Sequence, residues 1–169
     1  DALRLLNSQP ELVPALAEIL GDLPKESYAE RILLVSLIGE MRIPNSEKLF
    51  ASLIWEKLPP TTAVGESFSE REYEEMIQSQ AVAGLALLGF DSSRSALERI
   101  ISTHEARSVR VTAIESYLWV HPDRQQAIET IRKTTPAEFH RYVDSTPYFR
   151  GMNREVFNER VTRDRVKPN

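Results

Sequence analysis

Four apolar runs in this chain end alike: "ALRLLN", "LLVSLIG", "LALLG" and "YLWVH" close on Asn7, Gly39, Gly89 and His121, at intervals of 32, 50 and 32 residues. A recurrence of that length is the mark of stacked supersecondary units, each too small to bury its apolar face alone. After each run comes a short polar or proline-containing turn, and then a second apolar stretch of one shared form. These are Leu16/Ile19/Leu20, Phe50/Leu53/Ile54, Leu97/Ile100/Ile101 and Ile128/Ile131, the last with Arg132 at the third place. Spacing of i, i+3 and i+4 puts each set on one face of a helix. The second helix of every unit should therefore pack on one side only.

The pattern predicts helical hairpins: 1–7 with 10–21, 27–39 with 45–58, 69–89 with 92–103, and 107–120 with 122–134. No segment of period two competes, so the fold class expected is all-α. Boundary chemistry agrees. "SYAE" at Ser27–Glu30 and "SERE" at Ser69–Glu72 both have the form of a capping box, and Phe68 with Tyr73 has the spacing of a hydrophobic staple. Pro10, Pro44 and Pro122 stand at the openings of second helices, where a missing amide proton costs little. Asn and His tolerate positive φ better than most residues, so the column of Asn7, Gly39, Gly89 and His121 predicts a left-handed cap at each helix end.

The long interval contains "PPTTAVGESF", residues 59–68, which reads as a surface insertion between units two and three. Residues 1–134 then form a repeat domain. Residues 135–169 break the pattern and read as a capping segment, with a short helix at 137–144, followed by a basic tail with a thin helix from Asn153 carrying Val156, Phe157 and Val161. That tail, 150–169, holds six Arg or Lys against three acids, which leaves it at +3 and the remaining body at −7 within a net charge of −4. An acidic body disfavours a phosphate backbone as ligand. The tail is expected to dock on the body or to mediate self-association.

The stretch "SVRVTAIESYLWVHPDRQQAIETIRK" resembles a HEAT-like repeat of the short kind also found in phycocyanobilin lyase subunits, through Val109, Arg110, Ala113, Tyr117, Pro122, Asp123 and Ile128. "QAVAGLALLGFDSSRSALERII" is similar a second time through Ala81, Leu85, Leu88, Gly89 and Asp91. Units one and two match in spacing and stripe while their turns depart from the pattern. The resemblance implies a right-handed α-superhelix whose second helices line a concave side used to grip other proteins. Partner-facing candidates are Trp55 and Ala51 on the second unit, on the face that also carries Leu58, then Glu98, Arg99 and Ser102, and Glu129 and Arg132. Trp55 either packs on the neighbouring unit or, exposed in the concavity, is the natural anchor of an interface, since tryptophan dominates binding hot spots. Glu98 with Ser102 and Glu129 with Lys133 also stand at i, i+4.

Chemistry is weighed against this binding role. Trp119, His121 and Asp123 fall within five positions, and HEAT-like DNA glycosylases likewise place tryptophans and an aspartate on the concave face. The acidic body and the place of Asp123 at a helix entrance favour a cap instead. His104, His121 and His140 read as solvated polar positions, His140 alone having an acid, Asp144, at i+4. There is no cysteine, no glycine-rich phosphate loop and no nucleophile elbow. The expectation is a non-catalytic scaffold without cofactor or metal, with a HEAT-like glycosylase or lyase-type subunit as the alternative and a stretch of a larger solenoid as a third. The chain opens at Asp1 within an apolar pattern, which suggests an excised or processed domain. The densest apolar run, "ILLVSLIGEM", is about half a membrane span, so a soluble chain is expected in an undetermined compartment.

Overall fold

The computed structural model describes residues 9–61 and 68–145. Among them every regular element is helical: α1 (Leu12–Asp22), α2 (Tyr28–Met41), α3 (Glu47–Ile54), α4 (Glu70–Leu87), α5 (Phe90–Thr103), α6 (Arg107–Val120), α7 (Arg124–Thr134) and α8 (His140–Ser145). Short 3-10 turns, Pro44–Ser46 and Ala137–Phe139, lead into α3 and α8. No described helix is long and apolar enough to cross a membrane. The expected helix at 1–7, residues 62–67 of the insertion, and the tail with Asn153, Val156, Phe157 and Val161 lie outside the described residues.

The two kinds of helix differ as their patterns require. Second helices bury one stripe: Phe50, Leu53 and Ile54 on α3, and Leu97, Ile100 and Ile101 on α5, are all buried. On α7 Ile131 is buried and Ile128 is half-buried. First helices bury more of their circumference, α4 most of all, with Ile77, Gln78, Ala81, Val82 and Gly84 to Leu87 enclosed. That helix packs on α2, α3, α5 and α6, while α3 and α5 each lean on the first helix of the following unit. One core cluster runs without a break from Val13 to Val143. In the 137–144 segment Phe139 and Val143 are buried, and α8 packs on α6 and α7.

Several boundary expectations are corrected. In α1 the buried positions are Val13 and Leu20, and Ile19 is 50% exposed, so the stripe runs i, i+7 through half-buried Leu16 rather than through Ile19. Helix α3 ends at Ile54, four residues before the predicted end. Pro122 precedes its helix, because Asp123 occupies the N-cap and accepts from the Gln126 amide at 3.1 Å.

The glycine column has two explanations, neither of them a left-handed cap. Gly39 lies inside α2, which continues to Met41 and ends on Arg42 at φ 52°, ψ 34°. It is glycine because α2 crosses α4 there: a Cβ on Gly39 would stand 2.9 Å from the Gly84 Cα. Gly89 does have positive φ, 117°, but with extended ψ of 150°, as the N-cap of α5. His121 is extended, at φ −69° and ψ 129°.

Of the two capping boxes one forms. The Ser69 hydroxyl accepts from the Glu72 amide while Glu72 reaches back to the Ser69 amide at 2.7 Å. Phe68 meets Tyr73 with ring centres 5.7 Å apart, and the other side of Tyr73 stacks on Tyr28 at 4.4 Å and 6°. Ser27 makes no side-chain cap bond; its ψ of 52° takes the hydroxyl out of position.

Candidate functional site

The end of α3 is built by residues of the next two helices in the chain. A helix leaves its last carbonyls without partners, and here one of them, with another just beyond the helix end, is met from outside. The Ile54 carbonyl accepts from the His104 imidazole at 3.0 Å, and the Glu56 carbonyl from Gln78 Nε2 at 2.8 Å. The other imidazole nitrogen of His104, Nδ1, accepts from the Ala106 amide at 3.1 Å. An amide can only donate, so the ring proton of His104 sits on Nε2, where the Ile54 carbonyl needs it.

Trp55 comes immediately after this clamped end. Its indole lies 5.3 Å from the His104 ring at 47°, and the Arg99 guanidinium covers it at 4.6 Å. Even so it is 40% exposed, one of the few large apolar side chains that remain open to solvent. Ala51, one turn earlier on α3, and Ser102, three residues beyond Arg99 on α5, are exposed as well. The Ser102 hydroxyl is engaged with its own helix, donating to the Glu98 and Arg99 carbonyls at 2.9 and 3.1 Å. Leu58 is buried and belongs to the core.

The other candidates are placed elsewhere. Glu98 turns inward and its carboxylate accepts from the Tyr117 hydroxyl at 2.9 Å and from Arg94 Nε at 3.1 Å. Tyr117 is completely buried, and burial, with the hydrogen bond and charge of Glu98 adding to it, pushes its phenol up to about 12. Glu129 accepts from Gln125 at 3.0 Å, toward the preceding turn rather than toward Lys133. Arg132 reaches Asp144 on α8 at 2.8 Å, which takes Asp144 away from His140; that imidazole contacts the Thr135 carbonyl at 3.3 Å. Of the seven candidates, Trp55 and Arg99 are brought into contact, flanked by Ala51 and Ser102.

Two of the three histidines are buried, contrary to the solvated positions expected, while His140 is half-buried. His104 is 5% and His121 3% exposed. They share one device: each follows the last residue of a helix, and each Nδ1 accepts the amide proton of the residue two positions on, Ala106 or Asp123. Burial lowers the pKa of His121, and the nearby Arg94 charge lowers it further. Trp119 is half-buried with its Nε1 shielded from solvent and unpartnered among the described residues. With Asp123 capping α7, the Trp119/His121/Asp123 cluster is a corner between helices. Among the described residues no three His, Asp or Glu side chains are grouped to hold a metal ion.

The residues that sequence reasoning missed lie at the start of α6 and on α8. Arg107, Arg110 and Arg141 gather around Phe139 and Tyr142. No period in the sequence marks them, because 29 or more positions separate Arg107 and Arg110 from these rings. No family model, curated protein or solved structure matches the chain.

Proposed function

We propose that this chain is a binding module of HEAT-like solenoid type, in which the second helices line a concave side that receives another protein or a peptide. Trp55 and Arg99 are its anchor. The observation that carries this reading is an indole left 40% exposed while its setting is fully arranged: His104 and Gln78 hold the carbonyls on either side of it, and Arg99 lies over one face. An aromatic side chain held in one conformation before binding loses little freedom on contact, which is how a small number of residues can dominate an interface. The order of packing supports the repeat component. α2, α4 and α6 pack consecutively and the second helices lean on successive units, as stacked hairpins do.

The test is affinity capture with wild type, Trp55→Ala, Arg99→Ala and Glu30→Ala, the last removing an exposed charge on α2, a helix that contributes no residue to this patch. Equal far-UV circular dichroism is required of all four. A partner retained by Glu30→Ala and lost from both patch variants is the expected result. The same partners at undiminished yield from Trp55→Ala would remove Trp55 as the anchor.

A further inference from the structure

Among the described residues five arginines pair with acids: Arg31 with Glu74, Arg42 with Glu40, Arg71 with Glu75, Arg94 with Glu98 and Arg132 with Asp144. Arg107 and Arg141 are not among them, and the two converge on one place. Arg107, at the start of α6, is exposed and lies 5.7 Å from the Phe139 ring centre and 6.0 Å from that of Tyr142. Arg141, on α8, is exposed, lies 4.8 Å from the Tyr142 ring and donates Nη2 to the Tyr142 hydroxyl at 2.8 Å. Among the described residues neither guanidinium meets a carboxylate.

The pair rests on a firm base. Phe139 is 2% exposed, and Arg110 lies against it at 4.2 Å while donating Nε to the Ile101 carbonyl at 2.8 Å. Arg110 is thus committed to the fold, with Glu138 bearing on it electrostatically. Above it, two exposed guanidinium groups share a neutral phenol. A phenol oxygen can accept hydrogen bonds but supplies no charge to offset two cations. The positive potential is felt by Tyr142 itself, whose pKa is lowered by the Arg141 hydrogen bond first and by Arg107 in the same direction. Two planar forks that lack an anion match the geometry of a carboxylate, which each can hold through paired N–H groups.

We propose that Arg107, Arg141 and Tyr142 form a docking site for the carboxylate side chains of an acidic peptide segment on a partner protein. Charge complementarity selects that occupant. The patch is local and positive on a chain whose net charge is −4. A long polyanion such as a nucleic acid would lie partly over the acidic remainder and be repelled, whereas a short acidic segment meets only the patch within the roughly 8 Å screening length of physiological salt. Tyrosine and arginine side by side over a buried aromatic are also the composition of an interface anchor. This site stands apart from Trp55 and Arg99 and does not depend on their role.

The experiment follows the arginine Nε–Hε signals of the full chain by NMR while hexaglutamate, hexaglutamine or inorganic phosphate is added at constant ionic strength. Saturating shifts of Arg107 and Arg141 with hexaglutamate and none with hexaglutamine are expected. An Arg107→Gln/Arg141→Gln variant should bind at least about tenfold more weakly, the loss of one or two charge-assisted contacts. Tyr142→Phe, which keeps the ring beneath the cations, should weaken binding less, and Lys48→Gln not at all. Equal response to hexaglutamine, a response to phosphate alone, or undiminished affinity in the double variant would overturn the assignment.

Discussion

Gly39→Ala tests how α2 is seated on α4. The added Cβ would meet the Gly84 Cα at 2.9 Å and its amide nitrogen at 3.7 Å. Carbon atoms pack best at about 3.5–4.0 Å, so the two backbones must part by about 0.6–1 Å where they cross. Neither side can rotate away, because the obstacle is main chain. Val35, Ile38, Phe50 and Ala81, all fully buried, would lose contact together. Overpacking of this kind costs about 1–3 kcal/mol, and a contact with backbone belongs at the upper end. Alanine regains about 1 kcal/mol of helix propensity. The net loss is about 2 kcal/mol, or a fall of roughly 4–8 °C in Tm for a chain of this size. Gly84→Ala differs in kind: its Cβ would meet Phe50 ring carbons at 2.7, 2.9 and 3.1 Å, and a side chain can yield. Its net loss should be about 1 kcal/mol or less, and in the Phe50→Leu background smaller still. Gly21→Ala, with nothing within 4 Å, should stabilise by a few tenths to about 1 kcal/mol. Urea unfolding followed by far-UV circular dichroism ranks the three. If Gly39→Ala proved as stable as wild type, the close crossing of α2 and α4 would be refuted.

The remaining predictions concern caps and buried titrations. Ser69→Ala should cost about 1 kcal/mol through loss of the capping box, and Ser27→Ala less than about 0.5 kcal/mol, as read by urea midpoints; equal losses would contradict the difference between the two caps. Tyr117 keeps its proton to about 12 when folded and releases it near 10 when unfolded, so the folded state binds more protons between those values and stability falls as pH rises through them. The decline should be on the order of 2 kcal/mol and smaller in Tyr117→Phe, measured by denaturant titrations from pH 9 to 11.5. His121 is shifted the other way. Below its unfolded value of about 6.5 the unfolded chain takes up a proton that the folded one resists, so stability present at pH 7 declines as pH falls toward the lowered folded value. A His121→Ala variant should be less stable at pH 7 and show a flatter dependence between pH 7 and 5. An unchanged slope would mean that His121 is not shielded.

The parts of the fold legible in the sequence are those carried by period and local chemistry. The i, i+3, i+4 stripes of α3 and α5 are the buried faces, and the Ser69 box needed only neighbours three residues apart. What failed had its cause in another unit. Gly39 looks like a helix end because glycine commonly ends helices, but the reason for it is Gly84, 45 positions on, and the true left-handed cap is Arg42, a residue type that gives no such signal. Ser27 has the letters of a capping box without the backbone angle, which no sequence spells out.

The candidate site divides along the same line. Helical spacing identified which face of α5 carries Glu98 and Arg99, but their fates differ by contact with residues 19 and 44 positions distant: Tyr117 draws Glu98 inward, and Trp55 receives Arg99 outside. A charge pattern on one helix is the same in both cases; only the neighbour decides whether the charge is spent within the fold. The histidines carry this further. His104 and His121 do not share a repeat position, since one ends a second helix and the other a first, yet both close a helix by accepting an amide two residues ahead. Their likeness lies in the turn that each makes. What distinguishes His104 is the use of its second nitrogen, which reaches across to the Ile54 carbonyl and so fixes the place where Trp55 leaves its helix. The corner between α5 and α6 therefore determines the geometry at the end of α3, and an exposed indole on one unit takes its position from a buried imidazole on the next.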